Sequence, residues 1–267
     1  MFASAAAQAP NDARASCGDR RSVILDVNYG VAQKEPMWCW AAVTQIAAEY
    51  LLGAAFRQCE IVSAIHRPAL PFDSGQTQDR CCGAAGGSNG KGACDKGYWP
   101  NFEALPEVNL EKTNPGDYLS VDELKSQLNG AAAGDRSCKG APVPFVWKYP
   151  AGTELRVNPD APTVPENAET GDHITLIEEA KHAMLAAGYI ENAGEDYIFV
   201  VDPNRMSDDG YIAGIETAEA ARLRPRRALA GESDRSFMLY EYFVRQDKHH
   251  EHYRDYYELT VAPDAES

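Results

Sequence analysis

Seven cysteines, Cys17, Cys39, Cys59, Cys81, Cys82, Cys94 and Cys138, set the terms on which this 267-residue chain folds. The number is odd. If one thiol is kept for chemistry, the other six make three disulfides, in any of 15 pairings. A set that large suits an oxidising compartment, secreted or periplasmic. Cys59, Cys81, Cys82 and Cys94 fall in or just ahead of a loop-rich stretch, Pro68 to Asn114. Covalent staples there substitute for a core that such a stretch does not build. Zinc is the alternative partner for these four. The spacing contains no C-x2-C, and the adjacent Cys81 and Cys82 suit tetrahedral ligation poorly, so disulfides are the better reading. Each of the adjacent pair then has a distant partner.

The most regular segment is Trp38–Leu52, WCWAAVTQIAAEYLL. Its apolar residues Val43, Ile46, Ala47, Tyr50 and Leu51 form a helical stripe with no internal Gly or Pro, and Gly53 ends it. Cys39 opens this helix. Cys59–His66 predicts a short second helix, and Val121–Leu128 a third, with Ser120 and Glu123 in the pattern of a capping box. Apolar patterning predicts strands over Ser22–Tyr29, Pro142–Lys148, Ile174–Glu179, His182–Ile190, Tyr197–Asp202, Phe237–Val244 and Tyr256–Val261, with a turn at Glu191–Asp196. The Pro-rich run from Pro150 to Gly171 reads as a surface insertion. Helix and stapled loop dominate the first half and sheet the second, which predicts an α+β fold in two lobes. The organisation expected is a flexible lead over residues 1–21 and one domain over 22–267, its helical lobe about 30–135 and its β lobe about 136–267.

Charge narrows the partners. Lys plus Arg number 25 against 40 Asp plus Glu, a net charge of −15. No basic face for phosphate contact is evident, which argues against nucleic acid. No apolar run approaches the roughly 20 residues that span a bilayer. The first ten residues, MFASAAAQAP, lack the basic start and long apolar stretch of an intact export signal. They read either as what is left of a removed signal or as a native flexible lead.

A cysteine at a helix N-terminus sits among unpaired backbone N–H groups at the positive end of the helix dipole, a setting that favours the thiolate. Nucleophilic use of that thiolate calls for an imidazole base, a third group to orient the base, and a donor for the developing oxyanion. Each part has a candidate. His182 begins one strand and Asp202 ends the next, so an antiparallel pairing brings them side by side. Gln33 lies in the loop before the helix, where its amide and the Cys39 backbone N–H can serve as oxyanion donors.

Gln33-x5-Cys39-Trp40, then His182-Ala183 with Gly188-Tyr189, then Asp202 at the end of a strand, resembles the papain-like cysteine peptidases. The separation of His182 from Cys39 lies within the roughly 130–150 residues of that family. WCWAA (Trp38–Ala42) and the Asp202-Pro203 pair resemble more closely the bacterial branch that holds the AvrRpt2-like effector peptidases, where Asp replaces papain's Asn. The likeness runs from about Gln33 to Asp202 and departs in the long Pro-rich insertion and in the missing Cys-Gly-Ser-Cys lead. It implies a papain-like two-lobed fold, with a helical, disulfide-stapled N-terminal lobe and an antiparallel β-sheet or barrel C-terminal lobe. It also implies a secreted peptidase acting on protein or peptide substrates through a Cys39–His182–Asp202 triad, with Gln33 at the oxyanion hole and no metal or cofactor. The same triad serves amidases, deamidases and transglutaminases, and a non-catalytic binding module on this fold is the remaining alternative.

Other features carry weaker chemistry. His173 is the rival to His182 but lacks the downstream Gly-Tyr. Ala85–Gly92 (AGGSNGKG) fails as a phosphate loop, having Ala for the first Gly and Gly after Lys91. His249, His250 and His252 with Glu251 form no helical i, i+4 histidine pair and read as a solvated polar linker rather than a metal site.

Overall fold

A computed structural model describes residues 17, 20–35, 37–66, 81–82, 94–95, 97–100, 102, 105, 108–132, 138–156, 173–176, 178–203, 234–246 and 250–261. Most of the expected lead over 1–21, the AGGSNGKG segment, His249 and most of the Pro-rich insertion lie outside the described residues. In chain order the elements are β1 (Ser22–Ile24), α1 (Cys39–Leu52), α2 (Gln58–His66), β2 (Val108–Lys112), α3 (Val121–Asn129), β3 (Val143–Tyr149), β4 (Glu154–Arg156), β5 (His173–Thr175), β6 (Ala180–Asn192), β7 (Glu195–Asp202), β8 (Asp234–Leu239), α4 (Tyr240–Phe243) and β9 (Glu251–Val261). Helix and antiparallel sheet are thus combined, as an α+β chain.

The 13-residue strand β6 is the spine of a seven-stranded antiparallel sheet in the order β2-β9-β3-β6-β7-β8. Its first half pairs with β3, and further along β1 takes over against Gly188, Tyr189 and Ile190. On its other side β6 pairs with β7 across the Ala193-Gly194 turn. From His182 to Ile190 the strand is buried without a break. After His182 the run AMLAAGYI is almost wholly apolar because a central strand covered on both faces needs no polar alternation. Gly188 is required where β1 approaches: a Cβ there would stand 2.4 Å from the Val23 carbonyl oxygen.

Helix α1 packs against β6. Trp40 to Thr44 and Ile46 to Ala48 are all buried, so the helix is apolar nearly all round and lies inside the molecule. Gly53 caps it in the left-handed conformation at φ 66°, its N–H donating to the Glu49 carbonyl. One contiguous core joins α1 to the sheet, with Trp40, Phe145, Trp147 and Tyr189 among its largest fully buried side chains.

The N-terminal half also feeds the sheet. The five-residue β2 pairs with β9 at one edge, although VNLEK carries only two apolar residues, Val108 and Leu110. An edge strand with one buried residue reads in sequence as loop. The strand expected over Ile174–Glu179 is shorter, and β5 pairs with β4 in a separate two-stranded sheet. The strand expected over Phe237–Val244 stops at Leu239, where the chain turns into α4 and buries Phe243.

The solvated-linker reading of the histidine-rich segment is corrected. His250 and His252 have no exposed surface. Their alternation with Glu251 and Tyr253 points them inward from β9 and the residue before it. His250 stacks on Trp147 at 3.8 Å between ring centres. His252 bonds the Phe243 carbonyl through Nδ1 and Asp255 Oδ1 through Nε2, both at 2.9 Å, which compensates its burial.

Ser120 caps α3 as its sequence predicts. Its Oγ accepts the Glu123 N–H at 3.3 Å, and Glu123 Oε2 accepts the Ser120 N–H at 2.8 Å. Ser120→Ala therefore lowers the unfolding free energy by about 1 kcal/mol, read as a lower urea midpoint at unchanged slope. Among the described residues no helix is long and apolar enough to cross a membrane.

Candidate active site

The site is built where the start of α1 meets β6. Trp38 is the N-cap and supplies no side-chain bond to the first turn. It is held from outside instead. Its indole Nε1 donates to the Cys94 carbonyl at 2.8 Å, and the preceding Met37 N–H donates to Asp95 Oδ1 at 2.9 Å. Cys94 is in turn bonded to Cys81. A stapled segment thus fixes the entry to the helix, and Cys39, at its first position, is left half-buried with its thiol facing β6. The Ala183 N–H points at the sulfur, N to Sγ 3.5 Å.

Cys39 and His182 line the same cleft, which makes the sulfur and the imidazole neighbours. The β6–β7 ladder sets Leu185 opposite Val201, which places Asp202 at the ladder's end, diagonal to His182. His182 Nε2 and Asp202 Oδ1 stand 2.7 Å apart, both residues buried. Asp202 accepts from Nε2–H, which orients the ring and leaves Nδ1 to the side of Cys39. Burial on its own would push the His182 pKa down. The charge and hydrogen bond of Asp202, followed by the hydrogen bond and charge of Cys39, reverse this and raise it from 6.5 to about 10.

Gln33 is buried in the loop before α1. Its backbone N–H donates to the Pro203 carbonyl at 2.9 Å, so the loop runs beside the residue after Asp202. Its side-chain Nε2 donates to the Glu35 carbonyl at 3.1 Å. The cysteines pair as Cys17–Cys138, Cys59–Cys82 and Cys81–Cys94, and Cys39 is the free one. Cys17 is thereby tied to Cys138, and the carbonyls of Arg20 and Arg21 accept from the Tyr189 hydroxyl and the Glu191 N–H. The backbone of His173, the rival histidine, pairs with Arg156 in the small separate sheet. Among the described residues no group of three or more Cys, His, Asp or Glu could hold a metal ion.

Cys39, His182 and Ala183 line a cleft of about 510 Å³. Its walls are Met37, Tyr98, Trp99, Val146, Tyr149 and Leu176, with Glu179 and Lys181 as the charged members. Those charges are already engaged: Lys181 Nζ lies 3.3 Å from Glu179 and 5.1 Å over the Trp99 ring, which stacks on Tyr253. Sequence reasoning missed Tyr98 and Trp99. The available signal was a pair of large aromatics beside Gly97 in a loop-rich segment, where side chains with no periodic core to join are candidates to line a site. Chemically the arrangement offers a sulfur, an imidazole, and a carboxylate behind the imidazole, opening on an apolar trough.

No family model matches the chain, and no curated protein matches it. Among solved structures it is similar to Xylellain, a cysteine protease from Xylella fastidiosa, at 14% identity and a TM-score of 0.42, over 96% of this chain and 91% of the other.

Proposed function

We propose that the chain is a cysteine peptidase of papain-like build that cleaves peptide bonds by acyl transfer. The observation that carries the reading is that Cys39 and His182 line one cleft, with the Ala183 N–H 3.5 Å from the sulfur and Asp202 behind the ring at 2.7 Å from His182 Nε2. The Cys39 sulfur, its proton passed to His182 Nδ1, attacks the peptide carbonyl carbon. The Cys39 N–H and the Gln33 side-chain amide, turned from Glu35, hold the oxyanion. When the C–N bond breaks, the imidazolium gives its proton to the leaving amine and a thioester remains. Water, losing a proton to His182, then attacks the thioester and frees the acid and the thiol. Asp202 keeps the ring oriented throughout. The apolar trough takes an apolar side chain of the substrate.

Within that reading the chain belongs with the AvrRpt2-like branch and acts after export, as a bacterial effector. Three disulfides support an oxidising destination. Incubation with a diverse peptide library, followed by mass spectrometry, tests the activity. The expected products carry new termini. A one-unit mass gain at Gln with no new termini would replace the peptidase reading by a deamidase on the same three residues, and crosslinked Gln–Lys products by a transglutaminase.

A further inference from the structure

We infer that Gln58 is a positioning residue, which holds the loop of the oxyanion donor Gln33 in register with the helix that bears the nucleophile. The inference rests on the reading of Gln33 given above. The two oxyanion donors come from different elements. One is the Cys39 N–H at the start of α1, and the other belongs to a side chain on a loop with no regular structure of its own. Something must fix the distance between them, because an oxyanion donor works only within about 2.7–3.1 Å of where the charge develops.

Gln58 opens α2 and is 3% exposed. Its Oε1 accepts the Lys34 N–H at 2.9 Å. Its Nε2 donates to the Ala32 carbonyl at 2.8 Å and to Gln45 Oε1 at 3.2 Å. The side chain thus grips the residues on both sides of Gln33, N–H on one and C=O on the other, as a neighbouring strand would. The Gln33 N–H itself is taken by Pro203. Both N–H donors of the Gln58 amide are in use and its oxygen is engaged, so only one orientation fits: a flipped amide would face Lys34 N–H with a donor and Ala32 with an acceptor.

The third bond closes the link to the nucleophile. Gln45 is on α1, less than two turns beyond Cys39. Its own Nε2 donates to Glu49 Oε1 at 2.8 Å, and Glu49 Oε2 accepts from Asn28 Nδ2 at 2.6 Å, which fixes the Gln45 rotamer. On the other flank Cys59, next to Gln58, is bonded to Cys82. A single buried amide therefore joins the donor loop, the nucleophile helix and a stapled helix. Satisfying loop backbone groups would by itself require no bond to α1. The bond to Gln45 is what gives the amide a role in spacing.

Gln58→Met keeps side-chain length and removes all three bonds. In the full disulfide-bonded chain, kcat for hydrolysis of an apolar acyl p-nitrophenyl ester is expected to fall about 10–100-fold with KM within about twofold, as a donor displaced by about 1 Å predicts. The rate of Cys39 alkylation by iodoacetamide, and its pH profile, are expected to stay at the native value, since the sulfur and imidazole are untouched. Gln33→Ala lowers kcat by about 10²–10³-fold. Gln33→Ala combined with Gln58→Met is expected to be no slower than Gln33→Ala alone, because the second change acts through the first. If Gln58→Met does not fold, Gln58→Glu carries the test: it keeps the acceptor for Lys34 and sets a carboxylate oxygen against Ala32 and Gln45, with a kcat loss in the same direction. An unchanged kcat, a loss that multiplies with that of Gln33→Ala, or alkylation that falls in parallel overturns the inference. Gln33→Ala at the native rate instead removes Gln33 from the oxyanion hole, and an ester left unhydrolysed by the native chain removes the enzymatic reading as a whole.

Discussion

Cys39→Ala abolishes cleavage, with an expected fall in kcat of about 10⁵–10⁶-fold, the scale on which losing a nucleophile removes covalent catalysis. The substitution deletes one sulfur and, with it, the long contact from the Ala183 N–H. Cys39 is the single free cysteine, so no disulfide reshuffles when it goes. Its side chain is half-buried at the cleft, so the cavity left is small and opens to water. The urea midpoint should therefore stay close to the native value while activity vanishes, and the two measurements together separate chemistry from folding. Iodoacetamide should label the native chain at this position alone. Peptide products from a folded Cys39→Ala chain at anything near the native rate would end the peptidase assignment, since no other thiol is available to attack.

The residues on which that prediction rests were within reach of the sequence, because a cysteine, a histidine and an aspartate are chemically distinctive candidates for nucleophile, base and orienting group. Cys39 and Asp202 also sit at the ends of elements whose patterns are strong, and His182 lies near the start of one. The helix expected over Trp38–Leu52 begins one residue later, at Cys39, with Trp38 as an N-cap that is itself held by the Cys94 carbonyl. The expected pairing of the His182 and Asp202 strands is the β6–β7 ladder. What could not be read was whatever depends on contacts across the staples. Tyr98 and Trp99 reach the cleft, and Gln58 reaches the Gln33 loop, through a stapled region of a chain whose six disulfide cysteines admitted 15 pairings. Glutamine carries little signal in sequence, and its role here exists only in the bonds it makes. The buried His250 and His252 failed for a related reason. Polar residues at strand positions read as solvent-facing unless their partners are known, and Phe243, Asp255 and Trp147 are brought to them only by the fold.

Asp202→Ala is expected to leave a folded chain with kcat reduced by about 10²–10⁴-fold, in the range seen when the group that orients a catalytic imidazole is lost. The pH dependence identifies the cause. With Asp202 present, His182 holds its proton up to about 10, so the alkaline limb of kcat/KM, which reports loss of the general acid, lies far above the ordinary histidine range. Without the carboxylate, burial is left to act against the charged ring with only Cys39 in support, and the limb moves to lower pH. Stability changes with the same sign. A histidine whose pKa is raised on folding contributes fully below its unfolded value of 6.5, and the contribution fades as pH climbs through about 10. The native chain should accordingly exceed Asp202→Ala in unfolding free energy most at pH 6, and the gap should narrow by pH 10. Urea titrations at the two pH values measure it. Asp202→Asn restores a hydrogen-bond partner but not the charge. It should recover part of kcat while leaving the alkaline limb low, which separates the orienting role of this residue from its electrostatic one. A limb that stays in place in both variants would mean that the imidazole is held charged by something other than residue 202, and that the His182–Asp202 bond has no part in the chemistry.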